Sequence, residues 1–308
     1  MMRIICVGGA TVDYKLKSLA PLELGSSNPI DSFQSFGGVA HNVANNLAYL
    51  TIPELVHLQC VLGDDFEGQS LLNNLASRAI KTERSLILKQ QSTARYYAVL
   101  DVYGELHTAL SDMRIFDHIP TDLFVKHWSE DFKNNLVLID TNLPAHLIAH
   151  AISLGVTPYL CIDAVSVSKS AKLPYDLHGV YLLKTDRHEA SALANMPINS
   201  LAEGVHAAQV LLQRGMKNLL ITLGAEGYLL AKPSGTHYVP ATPLPRLVDV
   251  SGAGDAFIAA LLAGLQRQMP LEECCQLGAA AAYFTLQSSK TVAGNFSFSD
   301  LECFSLTV

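Results

Sequence analysis

Short apolar runs alternate along this chain with longer stretches in which hydrophobic residues recur every third or fourth position. Residues 3–7, 136–140, 158–163, 180–183 and 219–223 are largely aliphatic and β-branched, the pattern of strands covered on both faces, and residues 56–62 also read as a strand. Residues 41–50, 68–79, 145–154, 188–195 and 201–214 carry helical spacing instead, as Val43, Leu47 and Leu50 show. Residues 256–265 contain no charge, which marks a helix buried on most sides, and another apolar helix runs through Leu286. Strands alternating with helices predict an α/β fold: a mostly parallel central sheet between two helical layers.

Two stretches leave this rhythm. Residues 14–36 are polar and irregular, with Gly25-Ser26-Ser27-Asn28-Pro29 between short extended pieces. Residues 93–100 and 105–110 form an extended pair joined by Asp101-Val102-Tyr103-Gly104. Together they predict a small β-sheet beside the main one. By themselves such hairpins are as well explained as surface decoration.

Composition narrows the function. The chain has 308 residues, 49% of them hydrophobic, enough for one large α/β domain or two small ones. A net charge of −7 without a lysine or arginine run argues against a nucleic-acid backbone or an anionic membrane as partner, and for a small-molecule substrate. The six cysteines are scattered, three of them in strand-like runs and none in a CxxC pair, so they read as buried thiols. The 11 histidines show no HxxxH or HExxH spacing. No apolar segment reaches the ~18 residues of a membrane span, and Met1 leads directly into a strand. A cytoplasmic protein is expected.

Candidate chemistry gathers at glycines. In the run Asp249-Val250-Ser251-Gly252-Ala253-Gly254-Asp255-Ala256-Phe257, the turn can bring the first helical N–H groups close to an anion such as phosphate. Asp255 is an ordinary cap on one reading and a proton acceptor for a hydroxyl on the other. Gly8-Gly9 and then Asp13 follow the first strand, and Gly37-Gly38 with Asn42 open the first helix. Asp140 and Asp163 end strands where open α/β sheets bind ligands, with Asn142 and Lys169 close behind. Asp186 and Glu189, three apart after Lys184, have the spacing of a capping box. Thr222, Gly224 and Gly227 end a strand and begin a hairpin.

The run DVSGAGDAF resembles the C-terminal signature of the ribokinase-like (PfkB) family of sugar and nucleoside kinases, with Ser251 where the family usually has Thr. Residues 36–48, FGGVAHNVANNLA, resemble the family's N-terminal glycine motif. The resemblance spans essentially the whole chain. It implies one ribokinase-like three-layer domain over 1–308, with a β-sheet lid from about 12–36 and 92–114 that often also forms a homodimer interface. It implies ATP and Mg²⁺. Asp255 would be the base, and the amides of Gly252, Ala253 and Gly254 would stabilise the transferring phosphoryl group. Asp13, Gly37, Gly38 and Asn42 would orient the sugar, with Thr93, Tyr97, Asp112 and Met113 deciding substrate identity from the lid. Lys184, Asp186, Thr222, Gly224, Gly227 and Ser251 would line the nucleotide. Glu189 would order magnesium-bound water, Asp186 stands where the family has Asn, and Asp249 is a candidate for a monovalent ion such as K⁺. Within the family, GGVxxNVAxNLA, Ser111-Asp112-Met113 and Asp163-Ala164-Val165-Ser166 resemble the members that phosphorylate the 5′-hydroxyl of pseudouridine. Ribose, another nucleoside or a hexose are the alternative substrates. A kinase-shaped binding protein without catalysis is a third reading, and Asp186 is its only support.

Overall fold

The structure, a computed structural model, describes residues 1–306. Its larger sheet has eight strands in the spatial order Gly235–Val239, Tyr228–Lys232, Asn218–Thr222, Leu182–Asp186, Tyr159–Asp163, Leu136–Asp140, Ile4–Val7 and Val56–Gln59. The last six are parallel, and the first two are an antiparallel hairpin on one edge. Parallel neighbours need crossovers, so helices cover both faces. Successive strand residues therefore enter opposite cores. Ile4, Cys6, Leu136 and Leu138 belong to one buried cluster, and Ile5, Val7, Val137 and Ile139 to the other.

The charge-free stretch forms the helix Ala253–Gln266, buried from Ala256 to Gln266. It packs against Val39–Leu50 and Leu271–Thr285. Burying a leucine such as Leu261 or Leu262 contributes about 1.5–3 kcal/mol, which holds the start of this helix in place against the sheet.

The small sheet has four strands in the order Ile30–Gly37, Thr11–Ser18, Arg95–Leu100 and Leu106–Asp112. The extended pieces expected within 14–36 belong to Thr11–Ser18 and Ile30–Gly37, two eight-residue strands paired along their whole length, with residues 19–29 as the loop between them. Most of Ile30–Gly37 is exposed, so polar residues occur on both of its faces and no alternation marks it. Residues 56–62, expected as one strand, split at Cys60: Val61–Gly63 pairs with Leu86–Leu88 in a separate two-stranded sheet. Val56, Leu58, Cys60, Val61 and Leu62 are all buried, so the apolar positions run on across the break. The strand expected at 180–183 lies at Leu182–Asp186, because Lys184 and Thr185 continue the ladder while buried.

Cys6, Cys60, Cys161, Cys274 and Cys275 are buried free thiols, whereas Cys303 is exposed. Among the described residues, no helix is long and apolar enough to cross a membrane.

Candidate active site

Ile4–Val7, Leu136–Asp140, Tyr159–Asp163 and Leu182–Asp186 deliver their C-terminal ends to one region. Asp140 ties it together. Its Oδ2 accepts from Gly9 N at 2.8 Å and Ala40 N at 2.9 Å, and its Oδ1 accepts from Asn142 N at 2.8 Å. The acid that sequence placed at a strand end is thus fully buried and fastens the first strand's turn to the start of the helix Val39–Leu50. Burial pushes its carboxyl up, while the three amides oppose that push.

The glycine turn is built as an anion cradle. Gly252 has φ +81°, and a Cβ there would lie 2.0 Å from the Thr291 carbonyl oxygen, so only glycine fits. No side chain caps the helix that follows, leaving its first N–H groups open to a ligand. Ser251 N donates to Asp249 Oδ1 at 2.8 Å, which shapes the approach to the turn. Lys184 comes up from beneath, since a Cβ on Gly254 would sit 3.0 Å from its Nζ.

Asp255 lies in the first turn of that helix, and its Oδ2 accepts from Asn42 Nδ2 at 2.8 Å, across 213 positions of sequence. The N-terminal glycine motif and the C-terminal one therefore meet at the acid. Burial, then the neighbouring Asp163 carboxylate, push Asp255 up to about 7, against the pull of Asn42 and Lys184. Lys184 Nζ pairs with Asp163 Oδ2 at 2.9 Å, both side chains being buried. Burial alone would lower this lysine, but Asp163, Glu189 and Asp255 outweigh it and hold it charged. A carboxyl poised near neutrality beside a fixed ammonium and open amides can accept a hydroxyl proton while charge on an adjacent anion is stabilised.

Asp13 reaches the same region from the small sheet. Thr11 Oγ1 donates to its Oδ1 at 2.7 Å, and its Oδ2 lies where a Cβ on Gly37 would be, 2.0 Å away, so Gly37 makes room for the carboxylate. Burial pushes Asp13 up, and Lys15 and Lys169 face it. Lys169 Nζ in turn donates to Asn142 Oδ1 at 2.6 Å.

The register of the small sheet divides the expected lid residues between its two faces. Asp13 pairs with Tyr96, and Tyr96 with Ser111, so these three share one face of the sheet. Tyr97, expected at the substrate, lies on the other face, where its ring stacks on Tyr14 at 5.1 Å. Asp112 is also on that face, opposite Arg95, and its oxygens take Arg114 Nε at 2.8 Å and Arg114 Nη2 at 2.6 Å. Those bonds hold it down to about 2, committing the acid to Arg114. Thr93 is fully buried, donates to Asp65 Oδ1 at 2.6 Å and accepts from Gly63 N at 3.0 Å, so its hydroxyl is spent on holding the lid's base. Met113 packs against the second core and borders a cleft with Arg114, Phe116, Asn142, Lys169 and Lys172. A strand's two-residue period makes this distinction, and only the register reveals it.

On the other side of the glycine turn, Asp186 Oδ1 accepts from Glu189 N at 2.7 Å, and Asp186 N donates to Glu189 Oε2 at 2.8 Å. This is a complete capping box for the helix Arg187–Ala194. Asp186 therefore caps this helix, a role that Asn would fill equally well. Burial and Asp163 push Glu189 up to about 7. Among the described residues, no three acidic, histidine or cysteine side chains form a metal cage. One oxygen of Glu189 is taken by the cap, which fits a hydrated ion held through water better than a direct ligand set. Thr222 ends its strand with Oγ1 3.3 Å from the Thr185 carbonyl, and Gly224 and Gly227 form the turn after it. Asp249 Oδ2 pairs with Lys15 of the lid at 3.3 Å, so its carboxylate already faces a cation.

The sheet, the helical layers and the small sheet over the strand ends place the protein among α/β proteins of ribokinase-like fold. A model described as pfkB family carbohydrate kinase matches residues 1–296, and the chain belongs to that family. It is a sugar or nucleoside kinase. Pseudouridine kinase of Escherichia coli K12 is 27% identical over 288 residues, covering 94% of this chain and 91% of that protein. Guanosine-inosine kinase of Exiguobacterium acetylicum is 26% identical and covers 94% and 96%. A putative sugar kinase from Clostridium perfringens superimposes with a TM-score of 0.84 at 26% identity, covering 99% and 96% of the two chains. Ribokinase of Arabidopsis thaliana, in complex with ribose and ATP, superimposes with a TM-score of 0.85 at 20% identity, covering 99% and 98% of the two chains.

Proposed function

We propose that the protein transfers the γ-phosphoryl group of ATP to the 5′-hydroxyl of a ribosyl nucleoside, with pseudouridine as its preferred substrate. The hydrogen bond from Asn42 to Asp255 carries the reading, because it joins a sugar-orienting motif to an acid beside an anion cradle. Asp255 takes the proton of the attacking hydroxyl. The open amides of Gly252, Ala253 and Gly254, with Lys184, hold the charge that moves onto the phosphoryl oxygens. Asp13 and Asn42 orient the ribose, which supplies much of the rate when the nucleophile is a plain alcohol. Glu189 would hold Mg²⁺ through water, and the ion would supply neutralisation of phosphate charge. The small sheet covers the sugar and keeps water from competing as nucleophile.

The base of the nucleoside meets the face of that sheet bearing Asp13, so Tyr96 and Ser111 are the lid side chains that contact it. The pseudouridine preference is supported by the motifs Gly37-Gly38-Val39, Ser111-Asp112-Met113 and Asp163-Ala164-Val165-Ser166 and by the likeness to the E. coli enzyme. The likeness to guanosine-inosine kinase favours a purine nucleoside as the second reading. Pseudouridine differs from uridine by an extra N–H donor on its carbon-linked ring. An acceptor built for that donor is left unpaired by uridine, at about 1–3 kcal/mol or roughly tenfold or more in kcat/KM. ADP release measured with pseudouridine, uridine, inosine, ribose and fructose tests this. Equal kcat/KM for pseudouridine and uridine, or best activity on inosine or a free sugar, would end the pseudouridine assignment.

A further inference from the structure

The polar chain behind Asp255 extends further than proton transfer itself requires. Asn45 Nδ2 donates to the His41 carbonyl at 2.9 Å, and because a carbonyl oxygen only accepts, the nitrogen end of this amide is fixed. The same nitrogen lies 3.0 Å from His41 Nε2, so that ring atom accepts and carries no proton. The proton of the neutral ring is then on Nδ1, 3.2 Å from Asn42 Oδ1. With its oxygen committed there, Asn42 turns its nitrogen toward Asp255 Oδ2 at 2.8 Å. One backbone carbonyl thus sets the direction of every bond up to the acid.

We propose that His41 is a positioning residue for phosphoryl transfer: its ring, oriented by Asn45, locks Asn42 with the amide nitrogen facing Asp255. The proposal rests on reading Asp255 as the base. An unrestrained asparagine beside a carboxyl group can flip, offering nitrogen to the ionised acid and oxygen to the protonated one. His41 forbids the second state, so Asn42 always stabilises the ionised acid. The ring is suited to the task because it stays neutral. It is 2% exposed, burial pushes it down to about 4, and the Phe36 ring packs against its edge at 6.1 Å. Arg78 is the charged group that faces it. Asp163, Lys184 and Asp140 face Asp255 together with Asn42, and the His41 relay acts in addition to them.

Two measurements on the full-length protein decide the matter. Long-range ¹H–¹⁵N spectra of wild type should show His41 protonated at Nδ1 and bare at Nε2; a ring protonated at Nε2 overturns the proposal. Carboxyl ¹³C titration of Asp255 should then be compared in wild type, His41→Leu and His41→Asn. Leucine keeps apolar bulk without a donor, whereas the asparagine amide nitrogen falls near the position of Nδ1. His41→Leu should raise the Asp255 midpoint by about one pH unit and lower kcat near neutrality by about fivefold, leaving KM for ATP unchanged, while His41→Asn restores both. A folded His41→Leu protein with the wild-type midpoint overturns the proposal. If that variant does not fold, the wild-type ring spectrum decides alone. The titration needs no substrate, so it fails independently of the base assignment, which falls instead if Asp255→Asn retains kcat.

Discussion

Replacing Asp255 with asparagine should remove activity and raise stability in the same protein, and the second effect can be worked from the structure. The Asp255 carboxyl is raised from 3.8 to about 7, chiefly by burial and by Asp163. Folding therefore favours its protonated form. The penalty of holding the ionised form is absent below the unfolded value, grows between about pH 4 and 7, and is complete above the folded value. Three pH units correspond to an upper bound of about 4 kcal/mol. The acid is partly open to the cleft and shares its field with Lys184 and Asp163, so about 1–2 kcal/mol is the expected gain for Asp255→Asn at pH 8. For a chain of this size that is a rise in Tm of roughly 1.5–3 °C, shrinking toward zero near pH 4. Over the same range wild-type kcat should climb as pH rises through about 7, since the base must be ionised to act. The variant should lose about 10² to 10⁴ in kcat, with ATP binding retained. Thermal melts at pH 4, 6 and 8 beside a pH–rate profile test both arms. A variant that keeps more than half of wild-type kcat, or melts lower than wild type at pH 8, would refute the reasoning.

Asp13→Ala should raise KM for the nucleoside by about tenfold or more and leave KM for ATP within about twofold, because Asp13 stands on the lid side of the cleft. Steady-state kinetics with each substrate varied in turn checks this, and a change confined to ATP would reverse the placement of the two sites. Gly252→Ala should lower kcat/KM for ATP by about tenfold or more and destabilise the fold by about 1–3 kcal/mol, since the new Cβ meets the Thr291 carbonyl oxygen at 2.0 Å in a left-handed backbone. Isothermal titration with ATP and a thermal melt measure the two effects.

Much of the architecture was written in local pattern. Strands buried on both faces must be apolar throughout, and Ile4–Val7, Leu136–Asp140 and Tyr159–Asp163 lie within a residue of where their runs predict. The glycine turn at Gly252 and the capping box of Asp186 and Glu189 were also legible, because both depend on residues a few positions apart. The lid was not. Exposed strands such as Ile30–Gly37 owe their order to backbone pairing, which leaves no hydrophobic period to read. Register divides the lid: a shift of one residue separates Tyr96 and Ser111, beside Asp13, from Tyr97 and Asp112 on the opposite face. Nor could sequence show that His41 serves Asp255, or that Lys184 is held charged by Asp163. Those contacts span 213 positions for Asn42 to Asp255, and long-range electrostatics exist only once the sheet has brought its strand ends together.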